Sequence, residues 1–208
     1  MAKYAAGGAS LKPTVFKQNE VGFALKLGWM QLDLARYTIT SSNEVRTVSP
    51  GVYENFGRAR RTGTEGSLRL TPLDDLELTV IGNTAHARVL ENANPALVGQ
   101  QVTGVPHKSV AATVAWRPQV GLGANLEWRR VSNSAVNATN TLFYGAFQTV
   151  DLGAQYAGMA DGQRWRAYAK VENAADRRYA SNAFVIGGQT LVAPAPPRGL
   201  QLGVQADF

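Results

Sequence analysis

The chain has 208 residues, a formal net charge of +6, two histidines and no cysteine. The lack of cysteine excludes disulfides, thiolate metal sites and a cysteine nucleophile, and no run approaches the roughly 18 apolar residues that a membrane helix needs. The positive charge is scattered, with no basic block or aromatic-interleaved basic stripe, which argues against nucleic acid as a partner; a wide aqueous lumen or a negative lipid surface would accommodate it equally well.

Taken in chain order, the pattern has period two, so successive side chains belong to opposite faces of strands. Residues 1–13 lack the charged start, apolar core and cleavage site of a signal peptide. Val21, Phe23, Leu25, Leu27 and Trp29 then alternate with Glu20, Gly22, Ala24, Lys26 and Gly28. A tight turn near residues 28–31 leads to a second strand through Leu32, Leu34, Tyr37 and Ile39. Its parity breaks between Leu34 and Tyr37, which predicts a bulge or a different register from the one read here. Residues 41–55 hold Pro50-Gly51 and read as a long loop.

A third strand is expected over residues 57–71 and a short turn over 72–75. Leu76, Leu78 and Val80 open a fourth strand, and residues 90–106 form a second long loop. Val110, Ala112, Val114 and Trp116 share one face, residues 118–121 reverse the chain, and Leu122, Ala124, Leu126 and Trp128 return. A polar loop spans residues 132–146. Val150, Leu152, Ala154 and Tyr156 make a seventh strand, residues 159–162 turn, and Trp165, Ala167, Ala169 and Val171 make an eighth. A last loop spans residues 173–197. Leu200, Leu202, Val204, Ala206 and Phe208 then form the apolar face of a final strand.

Connections alternate short and long, so the short turns gather at one end and the long loops at the other. That asymmetry predicts an all-β fold of antiparallel amphipathic strands, part of a transmembrane barrel with short periplasmic turns and long extracellular loops. The polar faces carry charges with no evident partner, among them Lys26, Glu127, Arg129, Arg164, Arg166 and Lys170. A dry sandwich core could not hold these, whereas an aqueous lumen can. Trp29, Trp116 and Tyr156 fall at the short-turn ends, where an interfacial aromatic girdle belongs. Nine strands cannot close an antiparallel barrel, so both edges are left open; residues 3–12 could supply a tenth strand, but Gly7-Gly8 argues against it.

Several ordered motifs resemble those of the C-terminal barrel of a TonB-dependent outer-membrane receptor. They are Glu20-Val21-Gly22, Asn55-Phe56-Gly57-Arg58-Ala59-Arg60 followed by Gly63-Thr64-Glu65, and Asn94-Pro95 with Gly104-Val105-Pro106-His107. Val171-Glu172-Asn173 with Asp176 and Tyr179, and Pro197-Arg198 before the last strand, continue the series. Ala174-Ala175 stand where the family has Leu-Phe. The resemblance implies that residues 1–208 form about nine strands of a 22-stranded barrel, with the plug, the TonB box and the signal peptide outside it. It also implies the outer membrane of a Gram-negative bacterium, lipid contact, and Phe208 as the signal read by the barrel assembly machinery. The implied function is uptake of a scarce nutrient, most often a ferric siderophore, energised by TonB acting through the plug. Haem, cobalamin or metal-chelate uptake is the alternative within the family; an outer-membrane enzyme barrel and a passive porin are alternatives of other classes.

No catalytic constellation and no resident cofactor are expected. No Ser-His-Asp arrangement has a supporting context, and Asn173 to Asp176 reads as an Asx-type turn. His86 and His107 flank one loop and are candidate contacts for a metal or haem, although strand-end histidines more often have no such role. Arg58, Arg60 and Arg61 could attract an anionic ferric chelate.

Overall fold

A computed structural model describes residues 10–206. Its first strands are β1 (Val15–Leu27), β2 (Met30–Ser42), β3 (Val45–Ser49), β4 (Val52–Asn55) and β5 (Arg58–Leu73). β6 (Leu76–Glu91), β7 (Lys108–Trp116), β8 (Gly121–Val131), β9 (Ser134–Ala135) and β10 (Phe143–Tyr144) follow. The chain ends with β11 (Phe147–Ala160), β12 (Gln163–Glu172), β13 (Ala180–Ile186), β14 (Gln189–Pro194) and β15 (Gly199–Ala206). Nine of these form one antiparallel sheet in the order β1-β2-β5-β6-β7-β8-β11-β12-β15. The sheet is open, with β1 and β15 at its edges. Both the strand count and the open edges match the alternation in the sequence.

The register gives every position a face. Leu25, Leu32, Leu68, Val80, Ala112, Trp128 and Val150 lie opposite one another from strand to strand. The next row towards the short turns runs through Leu27, Met30, Leu70, Leu78, Val114, Leu126, Leu152, Val171 and Leu200. These rows make a continuous apolar belt, and its large side chains stay open: Val204 is 77% exposed and Phe23 57%. The opposite parity carries the polar residues, and it is also the crowded face. Ser41, Ala59, Ala87, Val89, Ala115, Thr149 and Ala157 all belong to it and all are buried. Side chains converge on the concave side of a curved sheet, so the polar face is the inner one and the apolar belt faces outward.

Short connections join β1 to β2, β5 to β6, β7 to β8 and β11 to β12; the intervening ones are long. Asp161 and Gly162, both with positive φ (51° and 77°), make the tight two-residue turn between β11 and β12. The long connections are more ordered than their polar composition suggests. β3–β4, β9–β10 and β13–β14 are small hairpins inside them, and a short 3-10 helix, Pro95–Leu97, is capped by the Asn94 side chain accepting from the Ala96 N–H at 3.1 Å.

Three expectations change. The bulge between Leu34 and Tyr37 does not form: β2 pairs without a shift to β1 and to β5. The parity break has another cause. Beyond Leu34 the outer positions of β2 become Arg36, Thr38 and Thr40, while Tyr37 and Ile39 turn inward beneath the loops. Lys170 is not unpaired either, since its ammonium reaches Glu172 at 2.9 Å and Asp151 at 3.6 Å. Trp29 lies in the turn between β1 and β2 and not in a strand. Phe208 and most of the candidate tenth strand lie outside the described residues.

Candidate ligand-facing surface at the loop end

The loop end is tied together by local chemistry that the sequence motifs encode. Asn55 donates its amide hydrogens to Asn43 O at 2.8 Å and to Lys12 O at 3.0 Å, closing the base of the β3–β4 hairpin. Gly57, at φ 103°, passes so close to β6 that a Cβ there would overlap Glu91 O. Only glycine fits both the angle and the approach. At the other side of the sheet Asn173, 6% exposed, receives the Arg177 N–H at 2.9 Å and donates to Arg177 O at 3.0 Å. Its own N–H donates to Asp151 Oδ1 at 2.8 Å, and Asp176 Oδ1 accepts the Arg198 N–H at 3.1 Å. The turn at residues 173–176 is closed by the Asp176 N–H donating to Asn173 O at 2.7 Å, and the Asn173 side chain reaches four residues on, where the expected Asx-type turn would reach two.

The arginine triplet is split by the strand period. Arg61 lies on the inner face, where its guanidinium meets Glu44 through contacts of 2.5 and 3.0 Å and donates to Ser41 Oγ at 3.0 Å. Burial pushes the Glu44 carboxyl up, but the Arg61 and Ser41 hydrogen bonds and the Arg61 charge outweigh it and hold it below its ordinary value of 4.5. Arg58 and Arg60 lie on the outer face, Arg58 bridged to Glu91 at 3.0 Å. Of the three, only Arg61 is on the loop-covered inner side.

Three of the four long connections meet above Arg61. A hollow of about 90 Å³ is lined by Glu44, Arg46, Phe56, Gln101, Val102 and Ala138 among others. Arg46 stacks over the Phe56 ring at 4.4 Å and bridges Glu54. Asn140 joins two of the connections by accepting the Gln101 N–H at 2.5 Å and donating to Gln101 O at 3.0 Å. A much larger hollow of about 700 Å³ lies over the middle of β1 to β8. Its lining includes Asp33, Glu65 and Arg129 of the inner face as well as Phe23 and Leu34 of the outer one.

The two histidines are neighbours. Their ring centroids are 5.2 Å apart at 51°, and His107 Nδ1 is 3.2 Å from Ala85 O. No third His, Asp or Glu joins them in a metal-binding group among the described residues. At the opposite end Trp116 and Tyr156 are half exposed on the outer face. Trp165 extends this aromatic group, its ring 5.8 Å from that of Tyr156. Trp165 opens a strand directly after a short turn, and the pairing of β11 with β12 brings its ring to Tyr156. Pattern reading missed Glu44 because it lies 17 residues from Arg61, and only the fold brings them together.

Solved structures share this architecture. The ferric preacinetobactin receptor BauA from Acinetobacter baumannii superposes with a TM-score of 0.82 at 22% identity, over 100% of this chain and 32% of that one. The ferric yersiniabactin uptake receptor FyuA from Yersinia pestis gives 0.77 at 18%, over 94% and 30%. The copper transporter OprC gives 0.73 at 16%, over 99% and 33%. The chain thus spans about a third of the length of these proteins, and at such identities the likeness shows the fold alone. No curated protein sequence matches the chain. The TonB dependent receptor-like β-barrel model matches residues 2–174, and the chain belongs to that family.

Proposed function

We propose that this chain is the ligand-gathering wall of an outer-membrane receptor that takes up a scarce nutrient, a ferric siderophore being the best-supported cargo. The observation that carries the reading is the pairing of an outward apolar belt with a polar inner face roofed at one end by long, internally bonded loops. A belt of that kind fits lipid, and a charged inner wall fits water and a plug. The iron-chelate receptors among the similar folds favour a ferric siderophore over haem or cobalamin. In this reading the protein is a transporter and not an enzyme. Energy comes from TonB acting on the plug, and the finished barrel is inserted by the assembly machinery. Arg61 and Arg46, each paired with a glutamate, order the loops around the hollow that would receive the chelate.

The test is uptake of radioiron by iron-starved cells carrying the intact receptor gene, offered as a panel of ferric siderophores. Uptake that disappears on deleting the gene, and again on removing TonB, supports the proposal. Unchanged uptake of every chelate, with loss of haem, cobalamin or copper uptake in its place, would reassign the cargo. TonB-independent passage of small solutes would point to a porin.

A further inference from the structure

The long connections are nearly neutral. Residues 92–106, 132–146 and 179–197 contain no Asp, Glu, Lys, Arg or His. In the remaining connection Arg46 is bridged to Glu54, and Glu44 to Arg61 of the strand below. What these connections present in place of charge is apolar. Val45, Leu142, Phe143, Phe184, Leu191 and Val192 are all exposed, Leu191 at 45% and Val192 at 59%. They belong to the small hairpins at the loop end and not to the lipid-facing belt, so hydrocarbon does not account for them.

Their placement is specific. β3 follows β2 and β13 follows β12, two strands with five others between them in the sheet. At about 4.8 Å per strand they stand roughly 29 Å apart along its surface. β13 nevertheless touches β3, and it touches β10 of the connection in between. Such contacts take the short way over the concave side of a curved sheet. The hairpins therefore overhang the inner face. The foot of β13–β14 is fixed, because the Tyr179 ring stacks on Phe147 at 4.1 Å and Tyr179 O accepts the Ala195 N–H at 3.0 Å. Above that foot Phe184 stands directly opposite Leu191 on one face of the hairpin, and buried Ala183 opposite Val192 on the other. One face is packed and the other is open.

We propose that the open Phe184–Leu191 face, with Leu142 and Phe143 of the neighbouring connection, binds an apolar arm of the cargo. The substrate class is then an amphiphilic chelate that carries an alkyl or aryl group, and not a uniformly polar one. Contiguous exposed apolar surface marks a binding site, and a position over the inner face assigns it to what enters the lumen and not to lipid. With the arginines neutralised by their glutamates, apolar contact is the attraction these loops offer. The hollow beneath continues it inward, with Val45, Phe56, Val102 and Ala138 in its lining. The inference rests on the uptake reading above and narrows its cargo.

The test uses the intact receptor in lipid nanodiscs, with the heat-shifted gel mobility of an assembled barrel as the folding check. Binding of matched ferric hydroxamates, acetylated, octanoylated and benzoylated, is measured by equilibrium dialysis, with empty nanodiscs subtracted. The octanoylated or the benzoylated chelate should bind the parent about tenfold more tightly than the acetylated one, which burial of about two methylenes supplies. Whichever leads tells alkyl from aryl. F184S/L191S should lose that advantage and keep its affinity for the acetylated chelate, and F184L should retain it. Equal binding of the three chelates, or an advantage that persists in F184S/L191S, would overturn the proposal. Should F184S/L191S fail to assemble, L142S/F143S is read in the same way. A metal-free readout runs beside it. L191C is modified by a water-soluble maleimide, and octanoylglycinamide should slow the reaction where acetylglycinamide does not. Equal protection by the two, or an L191C already shielded in the cargo-free receptor, would also overturn it. Protection by octanoylglycinamide without binding of any ferric chelate would leave the apolar site standing and remove iron as the cargo.

Discussion

Arg61 grips Glu44 through two guanidinium–carboxylate contacts at the root of the β3–β4 hairpin, while Arg60 beside it projects from the opposite face of the same strand. Both partners are less than a quarter exposed. The Glu44 carboxyl is held below its ordinary value, so the pair contributes stability above the unfolded carboxylate range and loses it as pH falls through the folded value. Glu44→Gln should loosen the hairpin by about 1 kcal/mol at neutral pH. Amide exchange in residues 43–57 should rise in the variant at pH 7. In the parent it should rise only as the pH is taken below about 4.5.

Two neighbours in β7 point in opposite directions and should answer oppositely to the same substitution. Val114 belongs to the outward belt, and Thr113 faces inward opposite Glu127. Val114→Arg should cost about 2–4 kcal/mol if its depth is near the bilayer midplane. Thr113→Arg should be close to neutral, because water and Glu127 receive the charge. Denaturant titration of the receptor in lipid vesicles compares the two directly.

The indole of Trp165 lies over Gly158 on the adjoining strand, and a Cβ at Gly158 would stand 2.6 Å from the ring. Gly158→Ala forces the ring aside and should destabilise the barrel by about 1–3 kcal/mol. Gly145→Ala, where a Cβ would meet nothing within 4 Å, should change little. The temperature at which the folded gel band disappears reports the difference.

His86 and His107 should not form a tight metal site. They bring two imidazoles within reach of one another, but no acidic or thiolate ligand joins them among the described residues. Calorimetric titration with Zn²⁺ or Cu²⁺ should show the same weak response in the parent and in His86→Ala. Saturable binding at micromolar metal, lost in the variant, would revive them as a contact for metal cargo.

The strands were legible because lipid and water impose opposite demands on successive residues, and Leu122 to Trp128 records that demand plainly. Where the strands leave the bilayer the rule inverts. Outer positions become Arg36, Thr38 and Thr40 and inner ones Tyr37 and Ile39, so a single-parity reading mistook a change of surroundings for a bulge. The Arg58–Arg61 triplet was legible as positive charge, but its division between faces depended on the strand period being applied to each residue. Glu44, Asn140 and the hairpins within the loops were out of reach of pattern reading. Their order comes from contacts across long sequence separations, such as Asn140 with Gln101, 39 residues away.

The assignment of faces is tested most directly by single-cysteine scanning, since this chain contains no cysteine of its own. Positions 122–131 of β8, introduced one at a time into the intact membrane-embedded receptor, are labelled with a polarity-sensitive probe. Leu122, Ala124, Leu126 and Trp128 should report hydrocarbon and quench from the lipid phase, while Asn125, Glu127 and Arg129 should report water. A trace without period two, or one with the parities exchanged, would contradict the outward apolar belt.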